Sequence, residues 1–163
     1  MSSASAVLTN PSVERVRQAL ERAGLRFEIV ELPGAARTAK AAAEYLGCEV
    51  AQIANSLVFR AARSDSAVLV MSSGAQRVDT AKLARLAGEP IEKADADFVR
   101  RHTGFAIGGV APVGHGVKNV FVEKALAAHG DLWAAAGHPH TVFRLTYPDL
   151  LRITGGEEAL LSQ

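Results

Sequence analysis

The chain has 163 residues, of which 48% are hydrophobic and 21% are charged, and these values are typical of one soluble globular domain. Such a composition excludes intrinsic disorder, a collagen-like repeat and a small fold held together by disulfides. The 18 basic and 17 acidic residues give a formal net charge of +1, which excludes the strongly basic face of a protein that grips nucleic acid over a broad surface.

Compartment and domain organisation follow from a few further features. Cys48 is the single cysteine and therefore has no partner for an internal disulfide, which fits a reducing compartment. No apolar run approaches the roughly 20 residues that span a bilayer, and the N-terminus does not resemble a secretory signal. We expect a cytoplasmic protein without a membrane segment, with a loose lead-in over residues 1–10 and one domain over 11–163.

Helical spacing and capping residues predict the elements of the first half of the chain. Val13, Val16 and Leu20 repeat at helical spacing after Pro11, and Gly24 is a typical helix end. The predicted elements are, in order, a helix from 11 to Gly24, a strand over 27–32, an alanine-rich helix over 38–46, and two strands over 55–61 and 67–72 that form a hairpin.

Capping residues in the second half of the sequence predict short helices between strands. Asp79 and Asp95 are N-cap residues, and Thr146 with Pro148 favours another helix start. The predicted elements are helices from 79 to 86 and from 95 to about 102, strands over 117–123, 132–136 and 141–145, the last of the chain, and a helix over 149–153. Because helices and strands do not alternate regularly, the predicted fold class is α+β, a single domain with a central mixed sheet flanked by helices.

Familiar catalytic and metal-binding motifs are absent from the sequence. There is no HExxH or CxxC spacing, no GxSxG turn and no Walker loop. We therefore predict no metal site and no cofactor, and we expect Cys48 to be an unreactive thiol.

A glycine-rich segment is the most distinctive feature of the chain. Residues 104–116 contain five glycines and Pro112. Glycine lets a backbone approach a ligand closely and adopt positive φ, and free N–H groups can hold an anion or a carbonyl oxygen. The composition fits either a ligand-binding loop or a plain connection, such as a long loop or a bulged strand.

Several segments of the chain, taken in order, form a pattern that is typical of one known protein family. They are 38–47, 52–59, 73–83, 108–112, 131–137 and 141–150. Together they resemble the YbaK/prolyl-tRNA-synthetase-associated editing domain family, and Gly108 to Pro112 matches the GxxxP loop of that family. The resemblance covers roughly residues 25–155 and implies the corresponding α+β fold.

The resemblance implies a freestanding aminoacyl-tRNA deacylase that acts in trans. Such proteins hydrolyse the ester of mischarged tRNA, typically tRNA(Pro) carrying a small wrong amino acid, because a synthetase pocket separates small side chains poorly. The implied partners are the 3′-terminal adenosine with its aminoacyl ester, and prolyl-tRNA synthetase. Family mechanisms are similar to substrate-assisted hydrolysis, without a side-chain nucleophile. The implied catalytic residues are Gly108, Gly109 and Asn55, and the implied substrate-binding residues are Val110, Ala111, Pro112, Ser56, His140 and Thr38.

Asn55 departs from the family pattern, which has a lysine at this position. Asparagine keeps hydrogen bonding and loses a positive charge, so the change predicts altered substrate choice, weaker tRNA binding or lost catalysis. Four cations, Arg60, Arg63, Arg77 and Lys118, are the candidates to replace the missing charge.

Two functions therefore stay open at the level of sequence. One is an aminoacyl-tRNA deacylase. The other is a catalytically weak or inactive module of the same fold that binds tRNA 3′ ends, nucleotides or a partner protein. A small-molecule hydrolase of another class is disfavoured because no triad or metal motif is present.

Overall fold

Residues 6–34 and 36–163 are described by the computed structural model, and they contain five α-helices and eight strands. The helices are α1 Pro11–Arg22, α2 Ala39–Leu46, α3 Thr80–Ala87, α4 Ala96–Thr103 and α5 Tyr147–Thr154. The strands are β1 Ile29–Glu31, β2 Ile53–Ala61, β3 Ser66–Ser73, β4 Ile91–Lys93, β5 Asn119–Glu123, β6 Leu132–Ala135, β7 Thr141–Leu145 and β8 Glu157–Ala159. Residues 1–5 of the expected lead-in lie outside the described residues, and 6–9 form a turn.

Local hydrogen bonds explain where the helices begin and end. The Thr38 hydroxyl accepts from the Ala41 N–H at 3.0 Å, and Asp79, Asp95 and Thr146 cap α3, α4 and α5 in the same way. The helices α2 to α5 all end at a glycine in the left-handed conformation. These capping signals confirm the predicted helix positions to within about two residues.

One mixed sheet organises the fold, and this confirms the predicted fold class. Its strands lie in the order β1-β7-β6-β2-β3-β5-β8, with β4 also paired to β2. The strand β2 pairs with β3 along one edge. On its other edge it pairs with β6 at Ile53 and Ala54 and with β4 from Phe59 to Ala61. Within the described residues, 55–58 thus have no neighbouring strand on that edge, and the sheet has a gap there.

Two short strands correct the sequence prediction. The segment 141–145 was predicted to be the last strand, but β8 follows it and pairs in parallel with β5. The strand β4 was not predicted at all. Both strands have three residues and carry charged side chains, so no alternating apolar pattern marks them. The buried Glu123 carboxylate holds the segment after β8 by accepting from the N–H groups of Leu161 and Ser162, at 3.0 and 2.7 Å.

The two faces of the sheet are covered differently. Leu69 and Met71 point to one face, where α1, α4, α5 and the glycine-rich segment form the main core. Val68 and Val70 point to the other face and pack against α3. A separate apolar cluster lies under α2. The gap beside β2 lies between this α2 cluster and the glycine-rich segment, and it opens the cleft described next.

Candidate functional site

A cleft of about 610 Å³ lies at the gap in the sheet, which is a usual size for a small-molecule site. Four segments from distant parts of the chain form its walls. They are 36–39 at the start of α2, 53–57 of β2, the Ile107–Gly108 tip of the glycine-rich segment, and 139–142 at the start of β7. We call this space the main cleft.

Five of the residues singled out from the sequence meet in the main cleft. They are Thr38, Asn55, Ser56, Gly108 and His140. Val110 instead lines a smaller adjoining cavity of about 230 Å³, which shares Ser56, Leu57, Ile107 and Gly108 with the main cleft. Gly109, Ala111 and Pro112 line neither space and form the buried backbone behind the tip.

The tip of the glycine-rich segment is a tight turn. The Gly109 N–H donates to the Ala106 carbonyl at 2.9 Å, and Gly108 has φ of +86°, a conformation that a glycine adopts without strain. Because the Gly109 N–H is used inside the turn, the N–H groups of Ile107 and Gly108, the two central residues, are the ones that this turn leaves unbonded, and both residues line the cleft. The segment 104–118 contains no strand, so it is a loop rather than a bulged strand.

The turn from His138 to Thr141 supports the opposite side of the tip. The His140 N–H donates to His138 Nδ1 at 3.0 Å, so the proton of a neutral His138 lies on Nε2. Burial and the neighbouring His140 lower the pKa of His138 below its ordinary value, although Glu31 opposes this. The two rings meet edge to face with centroids 5.3 Å apart, and His140, but not His138, lines the main cleft.

Charge in the main cleft comes from a residue that the sequence analysis missed. Arg37 is the single Lys or Arg among the described lining residues, and no Asp or Glu lines the cleft. Its Nε donates to the Gly34 carbonyl at 3.2 Å. The one signal in the sequence is that Arg37 directly precedes Thr38, which the family resemblance had assigned to substrate binding.

The four cations expected to replace the missing lysine do not line either cavity, and that expectation is therefore wrong. Arg60 is held at the far end of β2 by Asp65 and Glu92, at 2.6 and 2.5 Å. Arg63 donates to the Gly88 carbonyl at 2.9 Å. Arg77 and Lys118 are exposed away from the cleft lining.

Hydroxyl and thiol groups near the cleft are not arranged as nucleophiles. The Thr38 hydroxyl caps α2, and the Ser56 hydroxyl donates to the Met71 sulfur at 3.3 Å. Cys48 lies outside the described cleft lining, and burial raises the pKa of its thiol, which disfavours the reactive thiolate. The cleft therefore offers backbone groups, an amide, an imidazole and a guanidinium.

Neither a cluster of metal-binding side chains nor a membrane-spanning helix is present among the described residues. The described residues contain no group of three or more His, Cys, Asp or Glu side chains that could hold a metal ion. None of the helices in this part of the chain is long and apolar enough to cross a membrane.

Known proteins share this fold and much of this sequence. A solved structure described as a candidate trans-editing enzyme for prolyl-tRNA synthetase superposes with a TM-score of 0.88 and 44% identity, covering 94% of this chain and 98% of that one. A structure from work on grafting linear epitopes onto scaffold proteins superposes with a TM-score of 0.88 and 42% identity, covering 94% of this chain and 99% of that one. The uncharacterized protein YwhH of Bacillus subtilis is 27% identical over 141 residues, which are 85% of this chain and 88% of that protein. The family model of the aminoacyl-tRNA editing domain matches residues 34–153, and the chain belongs to that family.

Proposed function

We propose that this protein is a trans-acting deacylase that hydrolyses the ester bond of mischarged tRNA. The observation that carries the proposal is the main cleft, where Asn55, the Gly108 tip and His140 converge from three separate segments beside a gap in the sheet. Membership of the editing-domain family supports this chemistry. The absence of a conventional nucleophile among the described lining residues fits a reaction in which water attacks directly.

The proposed reaction needs a held ester, a placed water and a stabilised carbonyl oxygen. Water attacks the ester carbonyl carbon, and the bond from that carbon to the ribose oxygen breaks. The proton of the water passes to the ribose oxygen, which leaves as the hydroxyl of the tRNA terminus. In this proposal the Gly108 N–H donates to the negative oxygen that develops during attack, and a ribose hydroxyl of the substrate helps to orient the water.

For the substrate we propose tRNA(Pro) carrying a small wrong amino acid, with prolyl-tRNA synthetase as the enzyme whose errors are removed. The smaller cavity supports a small side chain, because its volume is about 230 Å³ and its lining is mostly apolar, including Val58, Phe59, Val99 and Val110. A pocket of this kind discriminates by size, and each methylene group is worth about 1–3 kcal/mol. The similarity to the candidate trans-editing enzyme for prolyl-tRNA synthetase supports the same choice.

One observation favours a second candidate, a non-catalytic module that binds tRNA 3′ ends. Asn55 stands in β2 at the main cleft, where the family pattern has lysine, and the amide has no charge with which to stabilise an anionic transition state. The binding surface of such a module would be the same cleft.

A panel of mischarged tRNAs tests the proposal. The panel includes tRNA(Pro) carrying alanine, cysteine, serine or threonine, with correctly charged prolyl-tRNA(Pro) as the control. We expect faster ester hydrolysis than in buffer for at least one mischarged species and none for the correct one. Binding of the panel without any hydrolysis would instead establish the module.

A further inference from the structure

Arg37 supplies a local positive charge that the main cleft does not offset. It is the only Lys or Arg in the described lining, and no carboxylate lines the same space. In the described part of the chain, Arg17, Arg60, Arg144 and Arg152 each have a carboxylate within 4.0 Å, whereas no such ion pair involves Arg37.

Arg37 is exposed, and local hydrogen bonds restrain its neighbouring backbone and its side chain. The next residue, Thr38, is the N-cap of α2, with its side chain bonded to the Ala41 N–H at 3.0 Å. On the side chain, Nε donates to the Gly34 carbonyl at 3.2 Å. Neither terminal nitrogen of the guanidinium bonds to another described residue, and together they form the fork that pairs with two oxygens of one phosphate.

The walls of the main cleft differ in what they can bind. Arg37 lies on the α2 wall, Gly108 lies on the loop wall and Asn55 lies on β2. In an aminoacylated tRNA end, the ester is on the 2′ or 3′ oxygen of the last ribose, and the nearest anion is the phosphate on the 5′ oxygen. A substrate in the cleft therefore carries its negative charge at one end and its reacting carbonyl at the other.

We infer that Arg37 binds the 5′-phosphate of the terminal adenosine and thereby directs the aminoacyl ester toward Asn55 and the Gly108 tip. This inference rests on the proposed function and deepens it by naming the group that recognises the phosphate. Arg37 is a positioning residue, because its guanidinium holds the nucleotide and not the reacting carbonyl.

The test compares two analogues whose ester is replaced by a stable amide. Both are 3′-alanylamido-3′-deoxyadenosine, one with and one without a 5′-phosphate, and calorimetry measures their dissociation constants. We expect the wild-type protein to bind the phosphorylated analogue about tenfold more tightly, the magnitude of one charged hydrogen-bonding contact at a partly exposed site. Arg37→Ala should bind both analogues equally, and Arg37→Lys should keep part of the preference.

Arg85→Ala is the matched control, because it removes the same charge from an exposed position on α3 outside the cleft lining. It should keep the full phosphate preference. The inference is overturned if wild-type protein shows no phosphate preference, if it binds neither analogue, or if Arg37→Ala keeps the preference. Thermal unfolding of each variant checks that it is folded.

Turnover separates this inference from the proposed function. With a mischarged tRNA that the wild-type protein hydrolyses, Arg37→Ala should raise KM about tenfold and leave kcat nearly unchanged, since it removes binding and not chemistry. If no tRNA is hydrolysed but the phosphate preference depends on Arg37, the deacylase proposal fails and the phosphate site stands. If hydrolysis occurs and neither KM nor analogue binding depends on Arg37, the deacylase stands and the phosphate site is rejected.

Discussion

Gly109 packs tightly against the turn that begins at His138, behind the main cleft. A Cβ at this position would lie 2.9 Å from both the carbonyl carbon and the Cα of His138, and 3.0 Å from its nitrogen. All three atoms are backbone, so no side-chain rotation can relieve the contact. Ordinary contacts begin near 3.4 Å, and Gly109→Ala therefore requires the glycine-rich loop and this turn to separate by about 0.5 Å or to distort.

The expected cost of Gly109→Ala is about 1–3 kcal/mol of unfolding free energy, the usual penalty for one methyl group too many in a packed site. Each kcal/mol lowers Tm by about 2–4 °C in a domain of this size. The separation also moves Pro139 and His140 away from the Gly108 tip, so hydrolysis of mischarged tRNA should fall with stability. Thermal unfolding followed by circular dichroism, together with the deacylation assay, measures both effects.

Gly130→Ala provides the matched control for that experiment. Its Cβ would meet nothing within 4 Å, and its φ lies outside the left-handed region, so we expect Tm to stay the same or to rise slightly. An unchanged Tm for Gly109→Ala would refute the tight packing of the two loops. A lower Tm with wild-type kcat and KM would refute the role of this loop pair in the site and leave it a structural contact.

Four further substitutions test separate parts of the interpretation. Gly108→Val places a β-branched residue at φ of +86°, a backbone conformation that costs even unbranched residues about 1–2 kcal/mol. Its Cβ would contact only Pro139, at 3.6 Å, so we expect the variant to fold and to deacylate at least tenfold more slowly. A wild-type rate would contradict this. Asn55→Lys should raise deacylation at pH 7 by restoring a charge, and a fall in the rate would show that the amide is itself needed. Cys48→Ser should leave turnover intact, and loss of turnover in a folded variant would show a reactive thiol. Burial lowers the pKa of His115 in the folded protein, so as the pH falls below about 6.5 the unfolded chain binds a proton first and the folded state loses stability. His115→Asn keeps a side-chain acceptor and should reduce the drop in Tm between pH 7.5 and pH 5.5. A drop equal to that of the wild-type protein would contradict this.

Helices could be predicted from this sequence because their boundaries are set by local chemistry. Thr38, Asp79, Asp95 and Thr146 each bond to a backbone N–H two or three residues later. Such a signal is complete within one helical turn and does not depend on the rest of the fold. The hairpin of β2 and β3 was predictable for a related reason, since two β-rich runs flank a short polar turn.

The strands β4 and β8 could not be predicted because they exist only through distant partners. In β8, Glu157 and Glu158 pair with β5 residues more than thirty positions earlier, and neither glutamate favours a strand by itself. In β4, Glu92 and Lys93 are similarly charged and exposed. These residues join the sheet because a neighbouring edge is available, and that edge is visible only once the whole sheet is assembled.

Part of the lining of the main cleft could be predicted from the sequence, but the shape of the cleft could not. The family resemblance brought Asn55, Gly108 and His140 together as site residues before any geometry was known. It did not show that β2 is left open between β6 and β4, because that gap depends on where two distant strands stop pairing. Arg37 was not predicted as a site residue for the same reason, because its position in the wall of the main cleft depends on how α2 packs beside the gap in the sheet.

The near-zero net charge does not argue against a tRNA substrate, because charge acts locally at this site. Glu157 and Glu158, which help to balance the total, lie on β8, three strands away from β2 in the sheet. At about 4.8 Å per strand this separation is about 14 Å, beyond the screening length of about 8 Å at physiological ionic strength. Exposed carboxylates at that distance from β2 do little to change the potential at the β2 side of the cleft, and no acid lines the cleft that Arg37 shares. A net charge of +1 therefore excludes a surface that reads many phosphates and is consistent with a cleft that holds one.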